Sequence, residues 1–286
     1  MPTSFPEHII AFFSNIPSSS VSYRKVIEGS GKPYLKNFTM DDGSPLVVGD
    51  FDSPDIHEGS IAYHPVFGYV SYRSRWGFST QSFIANLKAA DENPAITAHL
   101  IHVDSCGGEA FGCHEAFTAV KDLKKPCYGL IDTVAASAGY YLVAGADKIF
   151  ASSMFSEIGC IGIMSTMYDD TEWMKKAGLE EHEYYSNYSP LKNKVFNDAR
   201  KGDGSEFVKR FLDPMAYRFI EDVKSARTNI SQAACEGETF YAAEALPAGL
   251  IEGENTLDEV VAIIMSTVKP ADTVPEININ QLNFSL

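Results

Sequence analysis

The sequence predicts an α/β protein built on a mostly parallel sheet with helices on its faces. Alternation is the first ground for this. From Ile61 to Ala151, apolar or period-two runs change places with runs of helical period, the pattern of parallel β/α units. Size and composition are the second. The chain has 286 residues, 45% hydrophobic and 21% charged, enough to bury one large core or two modest ones and unlike a disordered chain.

Taken in order, Ser18-Ser-Ser20, Gly29-Ser-Gly31 and Asp41-Asp-Gly-Ser-Pro45 are turn chemistry. Residues 1–60 are therefore expected to form an N-terminal extension, with a strand at Tyr34 to Met40. Ile61 to Tyr72 alternates as strands do, and Ser79 is placed to cap a helix running to Ala90. Ala95 to Val103 reads as an apolar strand ending at a glycine turn, and Glu109 to Leu123 has helical period. A strand at Pro126 to Asp132, a short helix at Ser137 to Ala146 and a strand at Lys148 to Ala151 follow. Phe207, Phe211, Met215, Phe219 and Val223 lie four apart, which predicts one long amphipathic helix from Glu206 to Arg227. The last helix is expected at Thr256 to Val268, ahead of a polar tail, 269–286.

Composition excludes several functions. The net charge of −15 disfavours nucleic acid or an anionic membrane as partner. No apolar run approaches the roughly 20 residues of a membrane span, and Met1 to His8 lacks the basic start of a signal peptide. A soluble, cytoplasmic protein is expected. The five cysteines form no C-x-x-C pair, so neither a disulfide framework nor a metal site is expected. His114, beside Cys113 and Glu115, suggests no metal either, because adjacent helical residues point apart. Asp169 and Asp170 are read as caps of the helix carrying Trp173.

The chemistry gathers around Ser137, in Thr133-Val-Ala-Ala-Ser-Ala-Gly-Tyr-Tyr141, which follows the glycine turn Asp104-Ser-Cys-Gly-Gly108. A strand running into a Gly-Gly turn can aim backbone N–H groups at an oxyanion, and a serine at a strand-to-helix junction can face the same point. The usual histidine base is missing. Of seven histidines only His182 follows the serine, and it reads as a strand-surface residue.

These motifs, with Ser156-Glu-Ile-Gly-Cys-Ile-Gly-Ile163 and Gly237-Glu-Thr-Phe-Tyr241, resemble the signal peptide peptidase A (SppA) family of serine peptidases. The resemblance covers roughly 61–268, taken as the peptidase domain, and lies nearest the soluble, phage-type branch. It implies a ClpP/crotonase-like fold of repeated β-β-α units. Cys106 departs from the family's Ser-Pro-Gly-Gly turn, but both glycines remain. The resemblance also supplies a base, since SppA-type members use a lysine. Here Lys192 lies 55 residues past Ser137, with Lys194 as the alternative. Implied roles are then Ser137 as nucleophile, Lys192 as base, and N–H groups of Gly107 or Gly108 and of Ala138 as oxyanion donors. A lysine can act as base only as the free amine, and burial favours that form; Leu191, Val195 and Phe196 are the expected surroundings, and Ser189 is positioned to orient the amine.

No cofactor is implied. The implied substrate is an extended polypeptide, cut with a preference for small apolar side chains. The implied assembly is a homo-oligomeric ring in which the lysine reaches a neighbouring subunit's serine. The phage-type branch adds capsid, portal or scaffold proteins as partners and head maturation as the setting, with the tail Pro275 to Leu286 as a self-substrate or inhibitor. Two other classes compete. A catalytically inactive assembly scaffold needs none of these roles, with Ser137 an ordinary helix-start residue and Lys192 a solvated one. A crotonase-like acyl-CoA enzyme shares the fold but needs no downstream lysine.

Overall fold

The computed structural model describes residues 38–39, 45–47, 51, 56 and 58–268 apart from 76. The tail expected at 269–286 and most of the expected N-terminal extension lie outside them. Four strands form the centre of one sheet: β3 (Ser60–Val70), β4 (Ile96–Gly108), β5 (Cys127–Ala136) and β6 (Lys148–Ala151), all parallel. The edges are β1 (Phe38–Thr39) and β2 (Pro45–Val47) on one side and β9 (Gly253–Glu254) on the other. Since β2 pairs in parallel with β3, part of the expected extension belongs to the sheet. Two further strands branch from β5. β7 (Glu157–Gly159) pairs with β5 in parallel and with β8 (Thr239–Tyr241) antiparallel.

The sheet is covered on both faces, which is why Ala98 to Val103 is buried without alternation. One face carries α1 (Thr80–Glu92), α2 (Cys113–Lys121) and α3 (Ala138–Val143). In α1 the buried residues Thr80, Phe83, Leu87 and Ala90 keep to one stripe. Its start is set by the Ser79 hydroxyl, which accepts from Ser82 N–H at 3.4 Å, and it ends at Asn93, just before Pro94. The expected helix at 79–90 is thus present. On the other face the C-terminal helix (Leu257–Val268) packs Val260, Val261 and Ile264 on Ile61, Leu100 and Leu130.

Two expected strands run longer than their residues suggest. β4 continues through the glycines because Tyr69 and Val70 of β3 still pair with Gly107 and Gly108. β5 continues to Ala136 because β7 extends its ladder. Register shifts between Phe67 and Tyr69 and between Val103 and Ser105 absorb the bend.

The long helix expected at 206–227 is interrupted. A short turn (Ser205–Phe207) leads into a π-helical turn (Val208–Leu212) and then a helix (Asp213–Ala226), here the 213–226 helix. Pro214 in its first turn has no N–H to donate to the preceding turn, and the wider turn accommodates that.

From 162 to 218 none of the described residues is buried. This exposed segment carries the helices Thr171–Lys176 and Lys194–Arg200 and a ring cluster of Phe196, Phe207 and Phe211 with centroids 5.2–5.5 Å apart. Two readings are corrected here. His182 lies on no strand, and at the start of the first helix only Asp169 accepts, from Thr171 N–H at 3.1 Å, while Asp170 makes no side-chain cap. The five cysteines are free thiols. No helix among the described residues is long and apolar enough to cross a membrane.

Candidate active site

Ser137 joins β5 to α3 with φ 53° and ψ −123°, a region an L-residue occupies at a cost of about 1–3 kcal/mol. The surroundings hold it there. Its N–H donates to Gly159 O at 2.9 Å and its carbonyl accepts from Tyr141 N–H at 3.0 Å. Gly139 lies so close to β4 that a Cβ would stand 2.6 Å from Ser105 O. Strand, sharp turn and helix together leave the serine half-buried.

The glycine turn meets the serine directly. Gly107, at φ 104°, would place a Cβ 2.8 Å from Ser137 Cβ and 3.0 Å from Ala138 N. Its N–H donates to Ser105 Oγ at 3.1 Å, and that hydroxyl donates to Gly68 O at 2.5 Å. Along a parallel strand, successive N–H groups point to opposite edges. Glu109 N–H donates to Val70 O on β3 at 2.8 Å, so the Gly108 N–H faces the other edge, where β5 and Ser137 lie. Ala138 N–H, first in its helix, has no carbonyl within that helix to bond. The three residues expected as donors, Gly107, Gly108 and Ala138, thus stand around Ser137.

A cleft of about 110 Å³ opens here, lined by Gly108, Ser137, Ala138, Tyr141, Met164 and Phe219 among others. One wall is the Tyr141–Phe219 stack, with centroids 4.0 Å apart and planes 14° apart. Two thiols lie nearby and neither is activated. Burial, then the Asp104 and Glu157 carboxylates, pushes Cys106 up. Cys113 is pushed up to about 12, mainly by burial and then by Glu115 and Glu109. At neutral pH both thiols stay protonated.

The expected bases lie elsewhere in the chain. Lys192 lines a separate cleft of about 330 Å³ with Glu183, Tyr184, Tyr185, Ser186, Ser189 and Asn193. That cleft shares no residue with the one at Ser137. The expected apolar surroundings do not enclose Lys192 within one chain, since Leu191 is 73% and Phe196 46% exposed. Ser189 contacts Lys192 through its backbone, as acceptor of the Lys192 N–H at 3.2 Å. Lys194 is exposed, with Nζ 2.5 Å from Asp198 Oδ2. That carboxylate raises its pKa and holds it protonated. His182 sits in the same exposed segment, 3.6 Å from Glu180.

Several contributors escaped the sequence reading. Ser105 holds the turn through its hydroxyl, between Gly107 N–H and Gly68 O, and Gly159 through its carbonyl; neither leaves a pattern in a sequence. Tyr141, one helical turn after Ser137, carried a signal only in its spacing. Phe219 was read as one of five equivalent stripe positions.

Known proteins resemble part of this chain. An Enterococcus faecium protein assigned as signal peptide peptidase SppA is 27% identical over 65% of this chain and 57% of its own. Protease 4 of Haemophilus influenzae is 27% identical over 61% and 29%, and the chloroplastic serine protease SPPA of Arabidopsis thaliana 23% identical over 64% and 28%. The chain therefore spans little more than half of the first relative's length and under a third of the other two. Among solved structures, a mutant of the 1510-N membrane-bound stomatin-specific protease aligns over 71% of this chain and 83% of its own, at 17% identity and TM-score 0.44. The model of peptidase family S49 matches residues 119–270, more than half of the chain and the stretch that holds both Ser137 and Lys192, so the chain belongs to peptidase family S49.

Proposed function

We propose that the protein is a serine endopeptidase that cleaves extended polypeptide segments through an acyl-enzyme at Ser137, with Lys192 of a neighbouring copy as base. The observation that carries this is the strained Ser137 turn, set against Gly107 and open to a cleft that Gly108 and Ala138 also line. The neighbouring copy is invoked because Lys192 stands in a different cleft on a segment with no buried residue. The exposed Tyr184, Tyr188 and Leu191 beside it are apolar surface that a second copy would cover. Covering it would also supply the burial that favours a free amine. Lys194 is the weaker candidate because its ion pair with Asp198 keeps it a protonated ammonium.

In this reading the Lys192 amine takes the Ser137 Oγ proton as Oγ bonds to the scissile carbonyl carbon. The Gly108 and Ala138 N–H groups hold the resulting oxyanion. The C–N bond then breaks, and the lysine ammonium returns its proton to the leaving amine. Water attacks the ester, gives a proton to the lysine, and releases the acid with Ser137 reprotonated. The sequence resemblance suggests phage capsid, portal or scaffold proteins as substrates, within a closed ring.

Intact-mass spectrometry after exposure to a fluorophosphonate tests this, on wild type and on Ser137→Ala, Lys192→Ala and Lys194→Ala, each sized in parallel. The expected result is one adduct on the wild type, none on Ser137→Ala, and strongly slowed labelling of assembled Lys192→Ala. An assembled wild type that takes no label would overturn the reading in favour of a scaffold or an acyl-CoA enzyme.

A further inference from the structure

Asp222 is buried, 7% exposed, on the 213–226 helix, and the serine chemistry does not use it. Its carboxylate gathers three partners. Tyr141 Oη donates to Oδ2 at 2.5 Å, His114 Nδ1 lies 2.7 Å from the same oxygen, and Arg218 stands 3.7 Å from Oδ1. Tyr141 belongs to α3, the helix that Ser137 opens, and His114 to α2, which follows the glycine turn. One side chain thus ties the 213–226 helix to both elements that frame the cleft.

The need for such a tie follows from the sequence. Phe207, Phe211, Met215, Phe219 and Val223 repeat every four residues, so the apolar stripe alone seats about as well after sliding by one repeat, about 6 Å. Of this series only Phe219 and Val223 are buried, and with Asp222 they are the buried residues of the helix. Everything described from 162 to 218, Lys192 included, reaches the body C-terminally through this anchor. Directional polar contacts single out one seating where apolar ones do not. Arg227 fixes where the helix ends, through Nε to Ala144 O at 3.1 Å and a further bond to Ala146 O. Asp222 fixes which face it turns to the serine helix.

We propose that Asp222 is a positioning residue for the reaction at Ser137. By holding Tyr141 and His114 it sets the Tyr141–Phe219 wall of the cleft and the seating of the segment that bears Lys192. This rests on the Ser137–Lys192 reading above.

The test compares Asp222→Asn, Tyr141→Phe and the double variant, each as the assembled full chain. The readouts are the rate constant for fluorophosphonate labelling, kcat and KM on fluorescein-labelled casein, and the melting temperature. Tyr141→Phe keeps the ring stacked on Phe219 and removes only the hydroxyl, so it remains informative if Asp222→Asn does not fold. Each single variant is expected to lower labelling rate and kcat about tenfold or more with little change in KM, since a misplacement of about 1 Å costs up to about a hundredfold. The double variant is expected to be no worse than Asp222→Asn alone, because that substitution already perturbs the contact Tyr141→Phe removes, along with the one to His114. Lower melting temperatures with kcat unchanged well below the melt would overturn the proposal and leave Asp222 a structural residue. Ser137→Ala and Lys192→Ala run beside them. If those two stay active, the underlying reading fails; if they lose activity while the Asp222 and Tyr141 variants keep theirs, only the positioning role fails.

Discussion

Acidification from pH 7.5 to pH 5 should strip several kcal/mol of stability from this fold, through three histidines buried in the sheet. His64 on β3 and His99 on β4 meet at 3.0 Å, and His99 Nε2 lies 3.4 Å from Asp91. His102 accepts from or donates to Tyr63 Oη at 2.6 Å. Burial lowers His99 to about 4, with Lys125 adding to it and Asp91 opposing. Burial lowers His102 to about 4 against the pull of Asp104. His64 is lowered too, by burial and then by His99. A histidine depressed in the fold binds its proton more readily once unfolded. The stability it contributes is therefore complete above the unfolded value of about 6.5 and is lost as pH falls toward 4.

Between pH 6.5 and 5, before most carboxylates titrate, the loss per histidine is up to about 2 kcal/mol, or about 4 kcal/mol for His99 and His102 together. His64 acts in the same direction. Against a total of about 5–15 kcal/mol for a typical domain, such a loss is large. Urea unfolding followed by circular dichroism at pH 7.5, 6.5, 5.5 and 5.0 measures it. His102→Gln should cost stability at pH 7.5 by disturbing Tyr63, yet flatten the fall toward pH 5. A wild-type stability that changes by under about 1 kcal/mol from pH 6.5 to 5 would refute the reasoning, as would an unaltered slope in His102→Gln.

Gly107→Ala places a methyl 2.8 Å from Ser137 Cβ at φ 104°; it should abolish labelling and lower the melting temperature, and a labelled variant of wild-type stability contradicts the site geometry. Ser137→Gly relieves the φ of 53° that Ser137→Ala retains, so it should be the more stable of the two by about 1 kcal/mol. Thermal melts in the reverse order would mean the turn is unstrained. Lys194→Ala loses only the exposed pair with Asp198 and should keep most of its activity; a loss matching that of Lys192→Ala would reassign the base.

Local features made much of this legible from sequence. Ser79 announced its helix, Gly107 the close approach of β4 to Ser137, and the small residues around Ser137 the tight passage from strand to helix. The longer reach of β4 and β5 was not legible, because it depends on partners in β3 and β7 that are distant in sequence. Pro214 did mark the break in the long helix, but the four-residue stripe masked it by continuing through the π-helical turn. Asp222 looked like any acidic residue on a helix, since its partners come from residues 114 and 141. The sequence also placed Lys192 among apolar neighbours without showing that they stay exposed in a single chain. That exposure makes a second copy part of the account.

Subunit mixing tests that account most directly. Ser137→Ala and Lys192→Ala, each inactive alone, would be co-assembled in equal amounts and assayed on labelled casein. A site shared between neighbours pairs an intact serine with an intact lysine at about a quarter of positions in a randomly mixed ring, so activity should return to about that fraction of wild type. Mixed assemblies that form and remain inactive would contradict the shared site.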